Sequence, residues 1–283
     1  MPSVPDHLDL WCRMRDQVPW TDVQDPRPGA AGQVVGIRDG MAHFIRTDVH
    51  DRSPERALRL LAALTALRSD VSAGRALDFS TMRRWQGHVL GTERTDFRTG
   101  PAFAKGGRES YGLDADTRRR FDACLQQADD PAVPLPARAA RAHLDVCFFH
   151  PFDDGNARAA LLALTFVLAR GGVVLDQVGP IQISRGATGA LEFARLVAVL
   201  IRTTQNRAVH AAGTATSRLD HREDHLAPAT GERPDAPPPG EPLHDEQATS
   251  GLAGQVELRD VRQVARGVLN LQPQRPALGQ DQA

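Results

Sequence analysis

His150-Pro151-Phe152-Asp153-Asp154-Gly155-Asn156-Ala157-Arg158 follows an amphipathic run, Ala137 to Phe149, and opens into an apolar one, Ala159 to Ala169. Two helices joined by so short a loop place a base, an acid and a phosphate cradle together. The first N–H groups of a helix have no intrahelical partners, and the helix dipole is positive at that end. A glycine just before such a terminus lets an anion approach the backbone closely, so the helix entered at Asn156 is an anion site by construction. Asn156 adds an amide donor and Arg158, one turn in, a forked cation. Asp154 is a hard oxygen ligand suited to Mg²⁺ between phosphates. His150 is the side chain placed to remove a proton from an attacking hydroxyl near neutral pH. Phe152 is expected to turn inward and anchor the loop.

Taken singly, each residue has a plainer explanation. His-Pro is a common turn, Asp-Gly-Asn a common turn or N-cap, and an arginine early in a helix is usually solvated. The order and spacing of the whole set, between two strong helices, is what makes it specific.

Working outward, Ser53-Pro54-Glu55 is a helix start, with leucines at 58, 61, 64 and 67 in helical spacing. A second helix is expected over 80–90 with Met82, Trp85 and Val89 on one face, and a third from Asp114 to about Gln127. Phe97-Arg98-Thr99-Gly100-Pro101 through Gly106-Gly107 reads as extended. Gly171-Gly172 closes the helix that follows the loop. Short strands are expected at 173–175 and 181–183, and a last helix from Thr188 to Thr204. Nearer the N-terminus, Val34 to Ile37 and Met41 to Ile45 around Asp39-Gly40 suggest a hairpin. After Asn206 the chain has no aromatic residue and contains Pro237-Pro238-Pro239-Gly240, so it is expected to be disordered, save for a short amphipathic helix near 256–271. The organisation expected is an N-terminal extension over 1–52, a helical domain over 53–205 and a tail over 206–283.

The net charge of −1 draws the chain to neither nucleic acid nor a membrane surface, and no apolar run approaches a membrane span. The N-terminus lacks the basic and apolar character of a signal peptide. Cys12, Cys124 and Cys147 share no metal-ligand spacing and read as reduced thiols of a cytoplasmic protein. Cys147 reads as core rather than nucleophile. Arg118-Arg119-Arg120 reads as a solvated helix face, and His221-Arg222-Glu223-Asp224-His225 has its glutamate misplaced for a zinc protease.

The loop resembles the signature of the Fic/Doc (Fido) family, His-Pro-Phe-x-Asp/Glu-Gly-Asn-Gly-Arg-x-x-Arg, at positions 150 to 156 and 158, and the resemblance covers about residues 55 to 205. It implies a mainly α fold, a Fic-type helical bundle with a β-hairpin flap. It also implies transfer of AMP or another nucleotide fragment from ATP, with Mg²⁺, to a Ser, Thr or Tyr hydroxyl of a target protein. On that resemblance His150 is the base and Asp154 the metal ligand, while Gly155, Asn156, Ala157 and Arg158 bind phosphates. Arg98, Thr99, Gly100, Pro101, Gly106 and Gly107 are similar to the flap that aligns the target by strand addition.

The sequence departs from the signature at Ala157 and Leu161, where the family has a second glycine and a final arginine. A Doc-like kinase transferring the γ-phosphate and a Fic fold that binds nucleotide or partner without turnover therefore stay open. An arginine at 161 is expected to raise nucleotide affinity. The family's inhibitory Ser/Thr-x-x-x-Glu-Gly/Asn string is missing, which leaves restraint to a separate inhibitory partner, or to none.

Overall fold

The computed structural model describes residues 5–27, 32–182 and 186–223. Its centre is a helical hairpin, α7 (Leu135–Phe149) and α8 (Asn156–Arg170), joined by the loop at 150–155. α8 is apolar nearly all round, and α7 buries even Arg141, His143 and Asp145 among its apolar residues. Thirteen residues of α7 and ten of α8 are buried, so other helices must cover the pair on every side.

On one side lie α4 (Pro54–Ser72) and α5 (Phe79–Leu90). Pro54 occupies the first turn of α4, where its missing N–H costs nothing. Asp78 caps α5 by accepting from Thr81 N at 2.7 Å, and Gly91 ends it in the left-handed region at φ 69°. Met82, Trp85 and Val89 face inward as expected, and Trp85 Nε1 donates to Asp70 of α4 at 2.7 Å. Leu58, placed by its spacing with the apolar residues of α4, is instead 68% exposed. On the other side lie α1 (His7–Arg15) and α6 (Thr117–Gln126). A short helix, α2 (Gly40–Phe44), continues through a wider turn at Ile45–Val49 into α3 (His50–Arg52). The last helix, α9 (Ala190–Glu223), buries Phe193, Val197 and Ile201.

The strands are few and short. β1 (Val34–Val35) pairs in parallel with β4 (Val173–Val174). The expected hairpin over 34–45 does not form, because Asp39 N-caps α2 by accepting from Ala42 N at 2.8 Å. That cap commits the second half of the stretch to helix. Of the two strands expected after α8, the first is β4, whereas Gly179–Gln182 is a turn of 3₁₀ helix. β2 (Ala102–Ala104) and β3 (Glu109–Tyr111) form an antiparallel hairpin with Phe103 opposite Ser110.

Two boundaries move. The final helix does not stop near Thr204 but runs to Glu223, so helix replaces the expected disorder over 206–223. The rest of the tail, with the helix expected at 256–271, lies outside the described residues. At the other end, the N-terminal stretch is tied into the helical core. Asp145 of α7 is fully buried and accepts from Trp11 Nε1 at 3.0 Å and from Arg15 Nε at 2.6 Å and Nη2 at 2.9 Å. Trp11 stacks on Phe148 at 4.8 Å, and Asp6 forms a parallel bridge with Ser110 of the hairpin.

The magnitudes separate two ion pairs of α1. Breaking a buried pair strands the remaining charge, so Asp145→Ala is expected to cost about 3–5 kcal/mol in urea unfolding. Asp9 and Arg13 pair with their side chains 55% and 65% exposed, and Asp9→Ala is expected to cost roughly 0.5 kcal/mol or less. Equal losses would show that Asp145 does not anchor α1.

Candidate active site

The loop between α7 and α8 begins with backbone conformations that no ordinary helix contains. His150 terminates α7 in the left-handed region, at φ 46° and ψ 56°. Such a conformation is uncommon for a residue with a Cβ, though histidine visits it more readily than most. Pro151 then prevents the helix from continuing. Gly155 enters α8 at φ 77°, and a Cβ there would stand 2.5 Å from Gln86 Nε2. Glycine is required both by the dihedral and by the space. Gln86 itself reaches from α5 to donate to Asp154 O at 2.6 Å.

Within the loop, Asn156 uses both ends of its carboxamide on the backbone. Oδ1 accepts from Phe152 N at 3.0 Å and Nδ2 donates to Phe152 O at 2.7 Å. It is 6% exposed, and these two bonds shape the loop while using one of the two Nδ2 donors. The first backbone N–H groups of α8 lie at the same end of the loop. Phe152 turns inward as expected, stacking on Phe79 at 5.4 Å.

Asp154 and Arg158 form the outer edge of the loop. Arg158 Nη2 lies 3.3 Å from Asp154 Oδ2, with the side chains 27% and 79% exposed. An exposed pair of this kind separates at little cost when a phosphate or a cation competes for either partner. One free carboxylate fits Mg²⁺, which usually takes one or two carboxylates and completes its shell with phosphate oxygens and water. Among the described residues no group of three or more acidic, cysteine or histidine side chains could hold a metal by itself.

Two contacts fix the His150 ring. Nδ1 lies 2.6 Å from Cys147 O, and because a carbonyl only accepts, Nδ1 carries the proton and Nε2 the lone pair of the neutral ring. Tyr111 of β3 stacks on the imidazole with centroids 4.1 Å apart and planes at 17°. Burial holds its pKa below the ordinary histidine value; Arg98 pushes the same way, whereas the Cys147 carbonyl and Glu109 oppose. Burial pushes the neighbouring Cys147 thiol up to about 12, consistent with a packing role.

The hairpin occupies the expected place of the flap, but its parts divide differently. Thr99 and Pro101 are exposed, and Gly106 and Gly107 form the turn at φ 67° and 83°. Arg98 is 4% exposed, with its guanidinium turned to backbone carbonyls. Its Nε and Nη2 each reach Phe149 O at 3.3 Å, Nη1 donates to Gly100 O, and Nη2 also donates to Gly112 O. Its backbone N–H donates to Pro151 O at 2.9 Å. The guanidinium thus caps α7 and holds both ends of the hairpin against it.

A cavity of about 310 Å³ opens between His150, Ala157 and the inner side of the hairpin, lined also by His7, Lys105, Glu109 and Tyr111. Reading the sequence missed Lys105, Glu109 and Tyr111. The available signal was the polar strand after Gly106-Gly107, which reads as the return arm of a hairpin.

Leu161 is 2% exposed, packed in the core. A guanidinium there would enter apolar surroundings, so Leu161→Arg carries a stability cost that the motif comparison alone does not register.

Residues 76–168 match the model of the Fic/DOC family. That segment runs from just before α5 almost to the end of α8 and includes the whole loop and hairpin. Among solved structures, Fic-1 from C. elegans is similar at 17% identity and TM-score 0.45, covering 74% of this chain and 72% of that one. IbpAFic2 covalently tethered to Cdc42 is similar at 12% identity and TM-score 0.45, covering 68% and 70%. A Fic domain containing signaling protein from Bacteroides thetaiotaomicron is similar at 14% identity and TM-score 0.38, covering 68% and 80%. No curated protein matches the chain. Among the described residues no helix is long and apolar enough to cross a membrane.

The guanidinium of Arg98 meets carbonyl oxygens that would otherwise be buried without donors. Arg98→Ala is expected to lower stability by about 2–3 kcal/mol in chemical denaturation and to raise hydrogen exchange across 100–112. A loss confined to stability, with unchanged exchange in the hairpin, would contradict the clamp.

Proposed function

We propose that the protein is a Fic-type transferase that moves AMP, or another nucleotide fragment, from ATP to a Ser, Thr or Tyr hydroxyl of a target protein; for AMP the new O–P bond forms as the α–β phosphoanhydride bond breaks and pyrophosphate leaves. The observation that carries this reading is the placement of His150 and the start of α8 at the two ends of one short loop beside the hairpin. The family match over 76–168 supports the same class.

In this reading the backbone amides at Gly155, Asn156 and Ala157 face the nucleotide phosphates, with Arg158 as the adjacent cation. Positioning and charge stabilisation are what phosphoryl and nucleotidyl transfer chiefly require. Asp154 would hold Mg²⁺, which neutralises phosphate charge when bound. His150 Nε2 accepts the proton of the attacking hydroxyl, and the Cys147 carbonyl, by holding Nδ1–H, keeps that lone pair in place. The target's acceptor segment lies along the hairpin, where the exposed Phe103 of β2 offers an apolar contact.

Leu161 favours one second reading. With an apolar, buried side chain at the place of the signature's last cation, the triphosphate is free to bind reversed and to present its γ-phosphate, as in Doc-like kinases. Incubation of the protein and candidate targets with ATP labelled at the α- or the γ-phosphate separates the two. Label from the α-phosphate on protein, abolished by His150→Ala, is the expected result. Label from the γ-phosphate alone would replace this reading by the kinase, and neither label, across targets and nucleotides, would favour a fold that binds without turnover.

The pH dependence has a definite sign. A base must be neutral to act, and burial lowers the His150 pKa, so the acid limb of kcat/KM is expected below about 6.5. An acid limb above the ordinary histidine value would argue against His150 as the base.

A further inference from the structure

We infer that Tyr111 is a positioning residue for His150: its ring is the shelf that holds the imidazole, and the Glu109–Lys105 pair holds the shelf. This rests on His150 being the base of the proposed transfer, but its structural content can be tested without turnover.

Four contacts carry it. The Tyr111 ring lies nearly parallel to His150, 4.1 Å away, on one face of the imidazole. Tyr111 Oη donates to Glu109 Oε2 at 2.8 Å, and Lys105 Nζ donates to Glu109 Oε1 at 2.7 Å. His7 of α1 also lies near the tyrosine ring, tilted at 47° with centroids 5.9 Å apart. Tyr111 is 4% exposed, whereas the strand that carries it is otherwise partly open.

The arrangement does what the backbone at His150 cannot. A residue in the left-handed region outside a helix has no neighbouring turn to fix its χ angles, and the Nδ1 bond leaves rotation of the ring plane only partly restrained. A parallel aromatic face removes that freedom, and it excludes water from one side of the imidazole. When Nε2 takes a proton, the same face meets a cation, a contact favourable to aromatic rings. The hydroxyl bond to Glu109 matters because it sets where the ring stops. Burial and the bond to Glu109 both push the phenol pKa upward, so the hydroxyl remains a donor throughout the working range. The charged and titratable groups facing His150 are Arg98, Glu109 and Lys105 from the hairpin region, His7 from α1, and His143 and Cys147 from α7. Tyr111 is the uncharged surface among them.

Tyr111 is the only tyrosine of the chain, so 3-fluorotyrosine labels one position in the full-length protein. The expected ¹⁹F resonance moves with pH, with a midpoint below about 6.5, keeps that transition in His7→Gln and loses it in His150→Asn. A resonance that stays flat, or a transition that follows His7 instead, would overturn the shelf. In the transfer assay, Tyr111→Leu is expected to lower kcat about tenfold or more, with KM for nucleotide little changed, and to shift the acid limb upward as water reaches the imidazole. Tyr111→Phe, which keeps the face but loses the bond to Glu109, is expected to recover part of that rate, and full recovery would show that the Glu109 bond does not hold the shelf. Equal loss in both variants, with an unshifted acid limb, would mean that the ring only packs. If no transfer is detected with any target, the proposed function fails, and the ¹⁹F titration still decides the shelf.

Discussion

Phe149 O, Gly100 O and Gly112 O converge on the guanidinium of Arg98, and the geometry around the loop depends on that convergence. The first is at the end of α7, where carbonyls lack helical partners, and the others flank the two strands of the hairpin. A neutral donor could serve one of them. Arginine presents five N–H groups in a rigid fork and keeps its charge when buried, and its cation also complements the negative end of the α7 dipole. The cost of burying it shows in its lowered pKa, for which desolvation is the leading cause. Among the described residues no carboxylate bonds the guanidinium directly, and these oxygens are its compensation. The clamp fixes the hairpin to the point where α7 stops, and that places Tyr111 over His150.

The N-terminal residues reinforce the same junction from outside. Asp6 accepts from Leu8 N at 2.9 Å, from Asp9 N at 3.3 Å and from Gly112 N at 3.1 Å, capping α1 and holding the end of β3 with one carboxylate. A Cβ at Gly112 would meet the Asp6 carboxylate, so a side chain there would have to push that carboxylate out of its bonds. Farther along α1, Trp11 and Arg15 reach Asp145. The hairpin is therefore held at its base by Arg98 and along one edge by the start of the chain. β2, with Phe103 63% exposed, is the arm turned to solvent. A surface that receives an extended segment must keep unpaired backbone groups on one strand while the other is fixed.

The sequence made the helices and the loop readable because their signals are local. Ser53-Pro54, the spacing of Met82, Trp85 and Val89, and Gly171-Gly172 each declare an element through residues within a few positions. The loop is also local, so His150, Asp154, Gly155 and Arg158 could be assigned roles from order alone. Non-local contacts leave weaker signals. Asn156 and Arg98 are polar residues near a motif, which suggests ligand and target contacts, but the sequence does not show that Asn156 also bonds Phe152 across the loop or that Arg98 also bonds the Phe149 carbonyl 51 positions away. Val34 to Ile45 alternates like a hairpin, but β1 finds its partner at Val173, far along the chain, and the Asp39 cap turns the remainder into helix. The stack of Tyr111 on His150 joins residues 39 positions apart by numbering and leaves no pattern in the sequence.

The two departures from the family signature have different physical weight. Ala157 sits in the first turn of α8 and adds one methyl beside the cavity, while Gly155 keeps its left-handed conformation with Gln86 and Arg158 close to where a Cβ would stand. Leu161 is a larger change, since it exchanges a cation for core packing on a helix that is buried on nearly every side. An arginine reaching from that position would have to displace apolar contacts of α8, whereas Leu161 stabilises the helix that presents the anion site. Two features of the loop are untouched by that exchange: the amides that begin α8 and the histidine held through Nδ1. In the proposed reading the loss is one of charge at the far end of the triphosphate and not of the cradle at its near end, so Leu161 bears on which phosphate is held and which bond meets His150.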